Sequence, residues 1–243
     1  MKTIAVTATV LAGLSMVSGT AFAQTGSIGV NYARADSDLG DSDSYGIDGE
    51  AIFDTGAPWA VIVEGDFTET DDTNGVGALE GHLINRGANS AWGVFVGAAD
   101  TEGSTVLSTG FEYAQFFESS TLAFNLNFAS DNDVDVEGYG ANGKYSIFSG
   151  DNLRFDLGVG VGRVDALGNE TDFVAIGAGF EYRFDGTPYS VGAGYTRIDS
   201  DANGGEADVL GVTLRWNFGD TTLKAADRSG KAFTGLGSAL APF

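Results

Sequence analysis

The stretch Leu153-Arg-Phe-Asp-Leu-Gly-Val-Gly-Val-Gly162 alternates at every step: Leu153, Phe155, Leu157, Val159 and Val161 are apolar, while Arg154, Asp156, Gly158, Gly160 and Gly162 are charged or small. Successive side chains leave a β-strand on opposite faces, so a period of two describes a strand with one greasy and one hydrophilic face. The pattern extends in both directions. Downstream, Val174, Ile176, Phe180 and Tyr182 oppose Gly177, Gly179, Glu181 and Arg183, and Leu210, Val212, Leu214, Trp216 and Phe218 oppose Gly211, Thr213, Arg215 and Asn217. Upstream, Leu122, Phe124, Leu126 and Phe128 oppose Asn125 and Asn127. Trp59, Val61, Val63 and Phe67 oppose Glu64 and Asp66, and Ile28, Val30 and Tyr32 oppose Gly29 and Asn31.

About 12 segments of this kind follow one another, near 27–34, 44–53, 58–67, 76–85, 91–99, 105–115, 120–129, 135–147, 152–164, 172–184, 188–198 and 207–218. The fourth and eighth alternate less cleanly, which leaves 10 strands as an alternative. A tilted membrane strand needs ~9–11 residues, and these lengths fit.

Alternation also suits a soluble sandwich or a lipocalin-like barrel. Three features favour a membrane barrel. The second face of each segment carries acids, amides and glycines, as expected of a polar lumen with lipid outside. Aromatic residues crowd the segment ends: Phe53, Trp59, Trp92, Phe116, Phe117, Phe148, Phe184, Tyr189, Trp216 and Phe218 toward one end, and Tyr32, Tyr45, Phe67, Phe128, Phe173 and Tyr195 toward the other. Rings of this kind collect at lipid–water interfaces. The connections alternate too. Those at 54–58, 86–90, 118–120, 149–152 and 185–188 are short and nearly uncharged, whereas those at 36–43, 69–74, 100–103, 131–135, 165–172 and 199–206 are longer or strongly acidic. Short periplasmic turns and longer external loops are the asymmetry of such barrels.

The ends and the composition agree. Lys2, an apolar run from Ile4 to about Val17, and Ala21-Phe-Ala23 form a signal-peptide pattern over residues 1–23, which implies export. The absence of cysteine rules out a disulfide framework or thiolate metal site. A net charge of −22 argues against nucleic acid as a partner.

Gly211-Val-Thr-Leu-Arg-Trp-Asn-Phe218 is similar to the terminal-strand signal of bacterial outer-membrane β-barrels, with Gly211, Leu214, Trp216 and Phe218 as its elements. As architecture the chain resembles a small porin-like member of that class over residues 24–218. The resemblance implies an all-β, transmembrane, antiparallel up-and-down barrel in the outer membrane, in contact with lipid and lipopolysaccharide and assembled by the barrel assembly machinery. Larger porins of this kind are commonly trimeric; no face of this chain is distinctive enough to assign an oligomer. Unlike the usual pattern, the signal is followed by residues 219–243, which end in a second phenylalanine, Phe243. That tail carries Lys224, Arg228 and Lys231 against Asp220 and Asp227, and reads as a C-terminal periplasmic extension, with a plug in the lumen as the alternative.

The expected lumen carries acids early, Asp48, Glu50, Glu64, Asp66, Glu80 and Glu112, and bases later, Lys144, Arg154, Arg163, Arg183 and Arg215. Walls of opposite sign would set a transverse field that favours small hydrophilic solutes or ions. The alternative is a closed structural or surface-interaction barrel whose acidic loops bind cations, lipopolysaccharide or a host or phage partner. Asp199, Asp201 and Asn203 match the opening of a calcium loop, but Leu210 stands where the closing Glu belongs, which excludes an EF-hand. The clusters Asp36, Asp38, Asp41, Asp43 and Asp131, Asp133, Asp135 are further acidic surfaces. His82, the single histidine, shares a face with Glu80 and points to the lumen, with no nucleophile placed beside it, so neither an enzyme nor a cofactor is expected and a lipid hydrolase ranks last. The run Gly158–Gly162 lacks the context of a phosphate loop and reads as small residues relieving a crowded lumen.

Overall fold

The computed structural model describes residues 25–38, 40–55, 58–71, 73–101, 104–131, 136–166, 168–201, 205–219 and 222–233. The expected signal peptide, Asn203, Asp133, Asp135 and Phe243 lie outside them. Twelve antiparallel strands close into one barrel: β1 (Thr25–Ser37), β2 (Gly40–Asp54), β3 (Trp59–Thr70), β4 (Thr73–Arg86), β5 (Ser90–Thr101), β6 (Ser104–Phe116), β7 (Ser120–Asp131), β8 (Val136–Phe148), β9 (Leu153–Ala166), β10 (Asn169–Arg183), β11 (Tyr189–Ser200) and β12 (Glu206–Phe218). Each strand pairs with its chain neighbours, and β1 pairs with β12, so twelve rather than ten is the strand number. Closure removes the free edge that an open sheet would expose. No helix among the described residues is long and apolar enough to cross a membrane.

The alternation decides the two surfaces. Val30, Leu126, Leu157, Ile176 and Leu214 stand exposed on the outer wall. Ser27, Glu50, His82, Glu112, Asn125, Asp156, Glu181 and Asn217 are buried within the inner one. Apolar outside and polar inside is stable where the surroundings are hydrocarbon.

The acidic connections differ from expectation. The strands extend into these stretches, with Ser37 already paired to Gly40 and Thr101 to Ser104. Cross-strand pairs carry these hairpin tips, with Arg34 reaching Asp41 at 2.5 Å, Arg163 bonding Asp172 at 2.5 and 2.7 Å, and Arg197 meeting Glu206 at 2.5 Å. Strands of 12 to 15 residues are therefore longer than a hydrocarbon core requires.

Three aromatics expected at the interfaces turn inward instead. Phe116 and Phe148 are buried inside the end with the short turns, and Phe173 packs over Gly162 on the inner wall. Each sits at inward parity in its strand, so its chain position, not its ring, sets its direction.

At the closing seam, Phe218 pairs with Gly26, and its ring covers the space a β-carbon on that glycine would take. Removing Phe218 should therefore slow barrel assembly more than removing Phe243, as read by the appearance of the heat-modifiable folded band on gels. The reverse order would move the assembly signal to the tail.

Candidate functional site

The inner wall has a charged middle and an apolar end. Across β2, β3 and β4, Asp48 faces Asp66, and Glu50, Glu64 and Glu80 stand in one row. Glu112 lies on β6 and bonds His82 Nδ1 of β4 at 2.9 Å, over the intervening β5. His82 Nε2 points toward Glu80 at 3.9 Å and Glu64 at 4.0 Å. Ser108 Oγ donates to Glu80 at 3.3 Å. The six acids thus occupy inner positions on β2, β3, β4 and β6, and the register brings most of them together.

The bases lie on the other half of the circumference. Arg154 on β9 pairs with Asp156 at 2.8 Å and with Glu181 at 3.2 Å. Arg215 on β12 reaches across β1, over Gly29, to Asp48 at 3.0 Å. Arg183 bonds the Thr187 carbonyl of its own turn at 3.2 Å, and Lys144 shares the inner face of β8 with Asn142 and Ser146. These pairs follow the wall between adjacent or next-adjacent strands rather than spanning the lumen. Arg163 is a correction. It has outward parity beside Val161, lies half-exposed near the acidic hairpin tips, and pairs with Glu170 at 3.2 Å as well as Asp172.

The calcium-like turn is likewise committed elsewhere. Asp199 pairs with Arg197 at 3.3 Å, and Asp201 accepts the Asp172 backbone N–H at 2.8 Å.

The feature that sequence reasoning offered only as an alternative, a plug, is at the short-turn end. Residues 222–233, expected within a periplasmic extension, are folded against the inner wall. Thr222 caps a short helix, α1 (Leu223–Ala226), by accepting the Ala225 N–H at 3.1 Å, and a wider helical turn, Asp227–Lys231, follows. Thr121 of β7 donates to Asp227 at 2.6 Å. Lys231 Nζ donates to Ser27 of β1 at 3.1 Å and Asn217 of β12 at 3.3 Å. Arg86 of β4 donates to the Ser229 carbonyl at 3.2 Å, and Arg228 holds the carbonyls of Phe117 and Glu118. Ala232 and Phe233 join Ile52, Ala60, Ile62, Ile84, Ala91, Ala114, Phe116 and Ala123 in one apolar cluster. This segment therefore reaches strands on opposite sides of the barrel. Burial holds the Lys231 ammonium below its usual range, against the pull of Glu181, and holds the Asp227 carboxyl above its own, against the Thr121 hydrogen bond.

The physical reason for the docking is the wall itself. Ile52, Ile62 and Ile84 are aliphatic residues on a face otherwise built for water, and covering them removes apolar surface from it. Those three residues were the available signal.

Solved structures share this architecture. The KdgM porin, in complex with disordered oligogalacturonate, matches with a TM-score of 0.59 at 7% identity over 79% of this chain and 99% of its own. An outer membrane channel from Pseudomonas putida F1 matches at 0.64 and 12% identity, over 80% and 94% respectively. The NanC porin matches at 0.61 and 6%, over 78% and 98%. At such identities the likeness is one of fold. No family model and no curated protein sequence matches the chain.

Proposed function

We propose that this chain is an integral outer-membrane channel through which small hydrophilic solutes or ions diffuse passively, steered by a charged lumen. The observation that carries the reading is the inverted barrel: aliphatic and aromatic side chains outside, carboxylates, guanidinium groups, amides and glycines inside. The shared fold supports it, since the matched proteins are porins and a channel. In this reading Asp48, Glu50, Glu64, Asp66, Glu80 and Glu112 form the acidic wall, and Lys144, Arg154, Arg183 and Arg215 the basic one. Lipid and lipopolysaccharide surround the barrel, and Gly211, Leu214, Trp216 and Phe218 address it to the assembly machinery after export by residues 1–23.

The experiment is single-channel recording in planar bilayers with the full-length mature protein and with a form ending at Phe218. Current steps support a channel; none at any voltage from either form rejects it. Replacing Glu64 and Asp66 by Gln and Asn should lower cation preference, read as a shift of reversal potential in a salt gradient toward the anion side. An unchanged potential would remove those two residues from the selectivity wall.

A second reading, a closed structural or surface-interaction barrel, draws on residues 222–233, which occupy the short-turn end. Silence from both forms in the bilayer favours it. A lipid hydrolase has less support, because His82 is enclosed within the lumen wall, away from the outer lipid face.

A further inference from the structure

The densest unexplained chemistry in the barrel is the group around His82. Glu50, Glu64 and Glu80 stand directly opposite one another on three adjacent strands. Like charges in that relation destabilise a sheet. Beside them His82 is fully enclosed, with 0% of its side chain exposed. Its Nδ1 is engaged by Glu112, whereas its Nε2 has no hydrogen-bond partner among the described residues. Glu64 Oε1 is buried and unpartnered as well.

We propose that Glu64, Glu80 and His82 bind a divalent first-row transition ion, of which Zn²⁺ best fits the donors. One donor atom from each lies within 4.8 Å of the others. The Nε2 to carboxylate separations of 3.9 and 4.0 Å are too long for hydrogen bonds but leave room between for an ion. Metal–donor lengths of ~2.0–2.2 Å would set neighbouring donors about 3.3 Å apart, so each Nε2–carboxylate separation closes by roughly two-thirds of an ångström on binding. Glu112 supplies the feature that separates this group from a plain acidic cluster. A carboxylate on Nδ1–H fixes the ring and its tautomer, directs the Nε2 lone pair at the ion, and raises its basicity. An imidazole with two carboxylates suits zinc-like ions, while calcium and magnesium prefer all-oxygen shells. Glu112 is thus a positioning residue. The group lies just inside the Ile62 and Ile84 layer, against which Gly230 of the tail is seated, and Phe95 packs against the imidazole with ring centroids 5.6 Å apart. Bound there, the ion ties β3 to β4 and offsets the row of carboxylates.

This inference does not depend on whether the barrel conducts, because its readout is binding. Full-length protein refolded in detergent is titrated with Zn²⁺, Mg²⁺ and Ca²⁺ by calorimetry, with folding of each variant checked by heat-modifiable gel mobility. One Zn²⁺ per chain is expected, bound at least tenfold more weakly by His82→Gln and by Glu64→Gln. Glu112→Gln should weaken it by about 10–100-fold while leaving the ligands in place. Co²⁺ in place of Zn²⁺ should give a visible absorption band that His82→Gln abolishes. If His82→Gln fails to fold, Glu112→Gln and the cobalt spectrum of the parent protein decide. No saturable Zn²⁺ binding, equal affinity in the parent and the folded variants, or Mg²⁺ bound as tightly as Zn²⁺ would each overturn the site.

Discussion

Leu126→Arg is expected to destabilise the folded barrel in lipid by about 2–4 kcal/mol, while the adjacent change Asn127→Arg should be far milder. Leu126 sits near the middle of β7 with 52% of its surface exposed, paired to Phe111 on β6 and Ala141 on β8. Its strand mates Leu122, Phe124 and Phe128 are exposed on the same side. A guanidinium at that point must leave water for hydrocarbon or drag water inward, and neither neighbour offers it a counter-charge. Asn127 points the other way. It stands on the inner face between Gly110, which the Phe95 ring covers, and Gly140, and its replacement gives up its bond to Asn125 at 3.0 Å. Urea titration of refolding into lipid vesicles, followed by tryptophan fluorescence, measures both variants against the parent. Equal costs would mean that the outer face of β7 is not in contact with lipid, and the channel reading would fall with that result.

The contrast between those two residues was open to inspection in the primary structure because period-two alternation is strictly local: parity assigns a face without knowledge of any partner. That is why the strand number, the inward acids and the outward aliphatics were legible. Parity also contains the corrections. Arg163 follows Val161 to the outside, and Phe116, Phe148 and Phe173 follow their strands inward, once side-chain type is given less weight than position. The strand ends were less readable, since acidic residues at 36–43 look like loop until Arg34 and Asp41 are seen to pair across the hairpin. What depends on register could not be read in advance. Glu50, Glu64 and Glu80 become level only when two strand pairings are fixed, and His82 meets Glu112 across a third strand. The tail's seat has a local signal of its own: Ile52, Ile62 and Ile84 violate the polar-lumen rule at neighbouring inner positions, and such a cluster needs a cover.

Removing residues 219–243 should therefore raise single-channel conductance severalfold. Contacts from the described tail run to β1 and β12 through Lys231, to β7 through Asp227 and to β4 through Ser229, so its backbone crosses the opening rather than lining one side. Burying the Phe233 ring contributes about 1.5–3 kcal/mol to docking. Gly230→Val is a milder version of the same test, and it leaves the chain length unchanged. Gly230 has φ of +148°, which side-chain-bearing residues rarely adopt, and a β-carbon there would come within 2.8 Å of Ile62 Cδ1. The variant should open more often than the parent and should lose its tail to protease under conditions that leave the barrel intact. Should the truncated form fail to fold, Gly230→Val still decides between an obstructing tail and a merely structural one. Unchanged conductance in a folded Gly230→Val barrel whose tail has become cleavable would mean that solutes pass the segment without needing it to move. The aliphatic patch would then be a fastening point for the tail rather than the seat of a gate.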